Sequence, residues 1–571
     1  MKTTLRWLSL LCALVLLAAA CDERGSVDAG ASTPSRGVKR GTLLVVGQSD
    51  VEALDPGMAY AAFDFALLRG LVRELYSFDS RIEGERSLQP VPDLADGPYQ
   101  LSPDGRTYTF RIRRGVRYAP PVDREVEARD FIYAVERQLD PARPSPNPYS
   151  RLIRGAGAFA AGKARTISGM QAPDPHTLRI TLDQPASDFP SLLTLPFFSP
   201  VPEEHASRYA LGRDYGQHLA ATGPYRLRKY TPGRGIELVR NESWDPRTDP
   251  LRHAWVDKVS VTIGRSEGEI QQAIESGGAD LNLDAVPPPV ADLQRLADDP
   301  TLRRQLAIET TGCVHYLTLQ MDAGPTRSLA VRRAVNYAID RQAVVLAIGG
   351  SYAGEPATTV LSPTLAGHSA FDLYPSQDNA GDPDKARQLL AGAGYPNGVT
   401  LTYVGQSSAK WKALYEVLRS SLAWAGIHLK PTFYRGLEAY TRSLRVRAKR
   451  DEHHLGAARV CPDVPGNGSR SIIGVLLDGR TITPTSNNNY GAYNNPKVNA
   501  LIDRAYAARD DRERSALWGQ IDRLVMEDAA WAPLVYDRET FFWSARVRNW
   551  TFTPWLANPD ITNLWLDPNT P

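Results

Sequence analysis

The sequence predicts a mixed α/β protein built from more than one domain. Three observations lead there. At 571 residues the chain is too long for a single hydrophobic core. Stretches with strand-like and helix-like apolar spacing alternate along it, and no stretch repeats at a fixed interval. Composition is that of an ordinary globular protein, with 42% hydrophobic and 23% charged residues.

The elements follow in chain order. "GTLLVVGQ" (41–48) is β-branched and apolar and reads as a strand. "AAFDFALLRGLVREL" (61–75) carries apolar residues at helical spacing. "SPDGRTYTFRIRRGVRY" (102–118) reads as a hairpin, with a DG turn and then alternation at Tyr108, Phe110 and Ile112. "EARDFIYAVERQLDP" (127–141) is an amphipathic helix stopped by Pro141, and "ARPSPNPYS" after it is a loop. A strand at 176–185, a hairpin at 223–241 turning at Pro232–Gly233, and a strand at 256–263 come next. A helix at 266–282 runs into a strand. Beyond it lie a strand at 313–321 and one long helix at 328–348. An Asp-capped helix at 382–398 precedes the strand "VTLTYV", and 411–434 is helix then strand. Two helices and a strand fill 495–536.

Several function classes are disfavoured. A net charge of +2, with Arg spread along the chain, gives no reason to expect nucleic acid. The basic run "RSLRVRAKR" (442–450) reads as a solvated helix face. HExxH and Walker A patterns are absent from the sequence, so no catalytic residue is assigned and an enzyme is not expected. "GAGAFAAG" (155–162) fits GxGxxG only loosely and reads as loop. No cofactor and no metal site is expected.

The N-terminus "MKTTLRWLSLLCALVLLAAAC" has Lys2 and Arg6, then an apolar run near 14 residues, then small residues ahead of Cys21. A bilayer core of ~30 Å needs about 20 apolar residues, so the run fits a secretory signal rather than a span. Ala18–Ala20 before Cys21 resemble the bacterial lipobox, in which the Cys is lipidated; Ala18 stands where the box prefers Leu. Residues 1–20 are thus read as signal peptide and 21–39, polar and rich in small residues, as a lipid-anchored tether. Apart from Cys12 and Cys21, only Cys313 and Cys461 remain. In an oxidising compartment such a pair usually becomes a disulfide. Free thiols, a metal role with His453 and His454, or a nucleophile with an unplaced His partner stay open as alternatives.

Seven stretches, in this order, resemble the extracytoplasmic solute-binding proteins of ABC importers, the oligopeptide/dipeptide/nickel-binding family, family 5. They include "ALDPGMAY" (53–60), "SPDGRTYTFRIRRGVRY", "TGPYRLRKYTPGRGIELVRNESWDP" (222–246), "LAVRRAVNYAIDRQAVV" (329–345) and "NNNYGAYNNPKVNALIDRA" (487–505). The resemblance covers nearly the whole mature chain. It implies an α/β clamshell of two lobes (type II, cluster C) with an extra α/β domain inserted in the first lobe. Lobe one would comprise 40–76, 200–311 and 531–571, the inserted domain 77–199 and lobe two 312–530. Ligand would lie between the lobes. The implied role is a monomeric lipoprotein on the outer face of the cell membrane that delivers peptides to an ABC permease. The same scaffold could instead take a non-peptide solute such as a metal chelate, a haem or an oligosaccharide, or serve peptide signalling.

The resemblance also implies a site. In oligopeptide-binding relatives a disulfide joins the first strand of lobe two to a Gly-Trp-Cys-Ala-Asp loop whose Asp pairs with the peptide's α-amine. Here Cys313 and "RVCPD" (459–463) match the Cys and the Asp, so Cys313–Cys461 is the implied disulfide and Asp463 the implied amine partner. A buried ammonium needs such a carboxylate, although a turn-capping Asp is the alternative role for Asp463. Arg459 and Val460 replace the Gly and Trp. Arg459 would either meet a carboxylate on the ligand or sit on Asp463. Backbone at Val460 and Cys461, with Tyr60, Ala61, Ala62 and Phe63 opposite, would line the ligand as an added strand. Tyr403, Gln406, Asn487 and Tyr490 join the candidates by position.

Overall fold

The computed structural model describes residues 37–570 other than 83, 142–144, 465, 467 and 486. The leader, Cys21 and the tether up to residue 36 lie outside the described residues.

The strand Thr42–Val46 forms where β-branched and apolar residues cluster. It lies between Lys258–Thr262 and Leu281–Asn282, parallel to both. The hairpin Tyr225–Thr231 and Gly235–Arg240 extends this into a five-stranded sheet. The helix Ala62–Leu71 covers it with Leu67, Leu68 and Leu71, which meet Leu43, Val45 and Val259 in one core. The helix stops at Leu71, short of the 75 its apolar spacing suggests. The next residues turn inward to an ion network instead: Arg73 pairs with Asp93 at 2.7 Å, and Arg252 reaches Asp93 at 2.8 Å and Glu74 at 3.6 Å.

A second layer is a four-stranded antiparallel sheet in the order Gln100–Leu101, Thr107–Arg111, Thr177–Thr181, Met170–Asp174. Its alternation buries Tyr108 and Phe110 as the sequence pattern requires. The helix Ala128–Gln138 packs Phe131 and Val135 into the same core. Residues 155–162, read as loop, include the short helix Ala156–Ala160.

The third layer is a six-stranded sheet in the order Gly354–Pro356, Trp531–Phe542, Leu306–Leu319, Leu455–Val460, Val399–Gln406, Ile427–Tyr434. Helices cover both faces and bury Tyr316, Trp518 and Ile521 on one side, Leu317, Leu401 and Leu418 on the other. The expected helix at 328–348 is two, Leu329–Ala338 and Arg341–Ile348. Asp340 divides them: its side chain accepts from Ala343 N at 2.8 Å, an N-cap that restarts the helix.

Two strands join the halves of this clamshell. Leu306–Leu319 and Trp531–Phe542 are antiparallel over nearly their whole length. One end lies in the six-stranded sheet. The other brings Phe542 against Val46, Ile270 and Ile274 beside the five-stranded sheet. The pairing slips between Thr310 and Val314, a bulge that holds Gly312 at φ +86°. A Cβ at Gly312 would stand 3.1 Å from the Pro462 ring, so glycine lets the loop after Val460 lie against the crossing strand. Among the described residues no helix is long and apolar enough to cross a membrane.

Candidate functional site

The site grows from the carboxyl end of Leu455–Val460, a strand that pairs parallel to Val399–Gln406 on one side and antiparallel to Leu306–Leu319 on the other. In open α/β sheets, the crevice beyond the carboxyl ends of the strands is where ligands collect. Cys461 leaves this strand and is bonded to Cys313, with Cα atoms 4.1 Å apart. The bond and the close approach at Gly312 pin the loop to the crossing strand. Two residues on, Asp463 donates nothing from its side chain and accepts twice. Tyr60 Oη donates to its Oδ1 at 2.8 Å, and Tyr149 Oη makes a short hydrogen bond to Oδ2. Its own backbone N–H donates to Ser471 Oγ at 3.0 Å.

The two phenols reach Asp463 from elsewhere in the fold. Tyr60 precedes the helix Ala62–Leu71 of the five-stranded half and is 47% exposed. Tyr149 opens the helical turn Tyr149–Leu152, is 4% exposed and packs in the core of the four-stranded layer. One carboxylate is therefore the meeting point of all three layers. Burial pushes the Asp463 carboxyl up, and the two phenol donors offset part of that shift. Burial, then the Asp463 charge, pushes both phenols up, so they remain donors. A carboxylate offers about four lone-pair directions; two are used. Phe197 lies 6.2 Å from both the Tyr60 and Phe65 rings and completes an aromatic wall beside them.

Arg459 does not sit on Asp463. It pairs with Asp537, and its Nη2 lies 3.4 Å from Glu539, both on the crossing strand Trp531–Phe542. His315 Nε2 stands 3.0 Å from the other oxygen of Asp537. Burial alone would raise Asp537, but Arg459 and His315 hold it well below the usual carboxylate range. Burial raises Glu539 to about 7, against the pull of Arg459.

The remaining candidates take varied places. Val460 is half-buried against the core of the six-stranded sheet. Ala61 caps the helix that Ala62 starts, so Ala61 C=O accepts from Phe65 N, and Phe63 is buried in the core of the five-stranded half. Tyr403 is buried against Tyr415 and Phe433, at 5.0 and 6.2 Å between rings. Gln406 ends its strand. Asn487 is buried and donates to Asn489 C=O at 2.6 Å, while Tyr490 packs beside Val404, Tyr440 and Leu444. The structure thus brings Tyr60, Cys461 and Asp463 together and adds Tyr149. Nothing in the Pro-rich stretch around Tyr149 marked it, because its role depends on a contact 314 residues away in sequence. Among the described residues no group of three or more His, Cys, Asp or Glu could hold a metal ion.

A second set of contacts ties the four-stranded layer to the six-stranded half. Arg470 and Asp188 form a buried bidentate pair, 2.7 Å at Nη2–Oδ1, with the guanidinium 3.5 Å over the Tyr506 ring. Arg514 donates to Ser187 Oγ at 2.9 Å, and Arg509 to Pro103 C=O at 2.6 Å.

Three layers, two crossing strands and a polar site where the layers meet define a clamshell binding protein. The chain matches the family described as bacterial extracellular solute-binding proteins, family 5, over residues 89–463, and it belongs to that family. Similar proteins include heme-binding protein A of Haemophilus influenzae, 27% identical, with 95% of this chain and 96% of that protein covered. Glutathione-binding protein GsiB of Salmonella choleraesuis is 26% identical, with 92% of each covered. Among solved structures, clavulanic acid biosynthesis oligopeptide binding protein 2 superposes with a TM-score of 0.86 at 32% identity, covering 93% of this chain and 96% of that one. The family binds solutes outside the cytoplasm and works with ABC permeases.

Proposed function

We propose that this chain binds the ammonium end of a peptide or peptide-like solute between its lobes and delivers it to an ABC importer. The observation that carries the reading is the placement of Asp463. A disulfide-pinned loop of one half holds a carboxylate against two phenols from the rest of the molecule. A ligand ammonium there would make a charge-assisted pair out of bulk water, and the phenols would keep the carboxylate oriented. The lobes would comprise 40–76, 200–311 and 531–571 on one side and 312–530 on the other, with 77–199 inserted, except that 531–536 pairs with 314–318 inside the six-stranded sheet and so goes with the second lobe. The two bulged crossing strands would be the pivot. Cys21 would carry lipid and hold a monomer to the outer face of the cell membrane. Calorimetry with di- to pentapeptides, each paired with its N-acetylated form, tests the ligand class. The free-amine form should bind near micromolar Kd, about −8 kcal/mol, and acetylation should weaken it strongly. Indifference to acetylation would remove Asp463 from the account. Electrophoretic mobility of a Cys21→Ala variant in its host, with release to the medium, tests the anchor.

A non-peptide solute is the second reading. The relative named for haem favours it, as does the loss of the Trp wall at Val460. Native mass spectrometry of protein purified from its own host distinguishes the two.

A further inference from the structure

Beside Asp463 lies a hollow whose walls come from all three layers. Phe65 and Glu74 line it from the five-stranded half, Leu195 and Pro196 from the four-stranded layer, and Trp555 from the C-terminal tail. The space left inside is about 10 Å³, room for about one water. An ammonium paired with Asp463 carries its Cα one bond away, so the first side chain branches next to this hollow. This deepens the proposed amine-binding role of Asp463 and rests on it.

We propose that the hollow is the seat of the ligand's first side chain and that Trp555 restricts it to glycine- or alanine-sized groups. The Trp555 ring rests against two fixed groups. It stacks on Phe78 at 5.5 Å between centroids, with planes 28° apart. The Arg69 guanidinium lies 4.7 Å from its ring centre. Arg69 is itself buried and held by Asp560 at 3.2 Å and Ser77 Oγ at 2.6 Å. Phe65 also lines the hollow and is held edge-on by Phe197, with planes 88° apart. Glu74, which shares the wall with Asp463, is raised by burial to about 8, against the pull of Arg252. Close-packed walls resist an added ring or branched chain, because such insertions force neighbours off their rotamers.

The test is calorimetry on the full mature protein with Ala-Ala-Ala, Leu-Ala-Ala, Phe-Ala-Ala and N-acetyl-Ala-Ala-Ala. The protein should bind Ala-Ala-Ala at least ~10-fold more tightly than Phe-Ala-Ala, the ratio set by overpacking a dense site. In Trp555→Ala the gap should close or reverse through a gain for Phe-Ala-Ala. Trp555→Leu, which keeps an apolar backing for Arg69, should narrow it if the alanine variant does not fold. Free-amine peptides that bind equally well whatever their first residue, or a ratio that both variants leave unchanged, would overturn the size limit while leaving the Asp463 role standing. If none of the four peptides binds, the peptide reading falls and the inference with it.

Discussion

Replacing Asp463 by Asn separates binding from stability, and the structure dictates the direction of each. The side chain keeps its shape and one carbonyl acceptor, so one phenol bond survives. What disappears is the charge. In the empty protein that charge is a burden: burial raises the folded-state value above the ordinary carboxylate range. A carboxyl whose folded pKa is raised binds more protons folded than unfolded, so stability falls as pH rises from about 4 through the raised value. The penalty is absent below that window and complete above it. Asp463→Asn removes it, so the variant should unfold no earlier than the natural protein at pH 7 and should show less loss of Tm between pH 4 and 7. Binding moves the other way. Removing one partner of a desolvated charge pair costs about 2–5 kcal/mol, or ~30- to several-thousand-fold in Kd. Calorimetry with a free-amine peptide and its N-acetyl form, on both proteins, closes a double-mutant cycle. The variant should weaken the free amine by this factor and leave the acetylated peptide within about threefold. Natural affinity for the free amine in the variant would refute the reasoning, whatever its Tm.

Three further outcomes follow from the same contacts. Arg459→Ala strips the main counter-charge from buried Asp537; because Arg459 is about a third exposed, the cost in urea unfolding should be nearer 1–3 kcal/mol than the 3–5 of a fully buried pair. Asp537 is held low, so its contribution is present above the ordinary carboxylate range and lost as pH falls below it, and the stability gap between the two proteins should shrink in acid. Cys313→Ser with Cys461→Ser opens a link between residues 148 apart, worth up to ~5 kcal/mol of chain entropy; the double variant should melt earlier and bind free-amine peptide more weakly, because the Asp463 loop loses its anchor. Arg470→Met leaves Asp188 buried without its partner and should cost about 3–5 kcal/mol by urea unfolding, whereas adding Asp188→Leu should recover most of it.

Much of the fold was legible because it is written in periodicity. Tyr108 and Phe110 alternate with polar neighbours, and both are buried. The misreadings sit where periodicity is silent. Apolar spacing continues through Ala338–Val345, so nothing in the pattern marks the break; only the capping geometry of Asp340 does. The crossing strand begins at Leu306 rather than 313, because its first half, "LAIETTG", is half-exposed where it passes between lobes and lacks a core-like run. Arg69, Arg73 and Arg252 are buried although charge is normally solvated, since each finds a carboxylate far away in sequence, Asp560, Asp249 and Asp93. At the site, Asp463 could be singled out because a cysteine two residues earlier placed its loop. Tyr149 could not, because no local signal announces a phenol's partner. Arg459 had two candidate partners in the sequence reading; the structure gives it to Asp537 and Glu539, which share its face of the sheet.

The most direct test of the account is a crystal structure of the mature protein grown with Ala-Ala-Ala. The account requires the tripeptide between the lobes, its ammonium nitrogen ~2.7–3.0 Å from an Asp463 carboxylate oxygen, with Tyr60 and Tyr149 beside it. A ligand seated with its amine elsewhere, and Asp463 still shared between the two phenols alone, would contradict it.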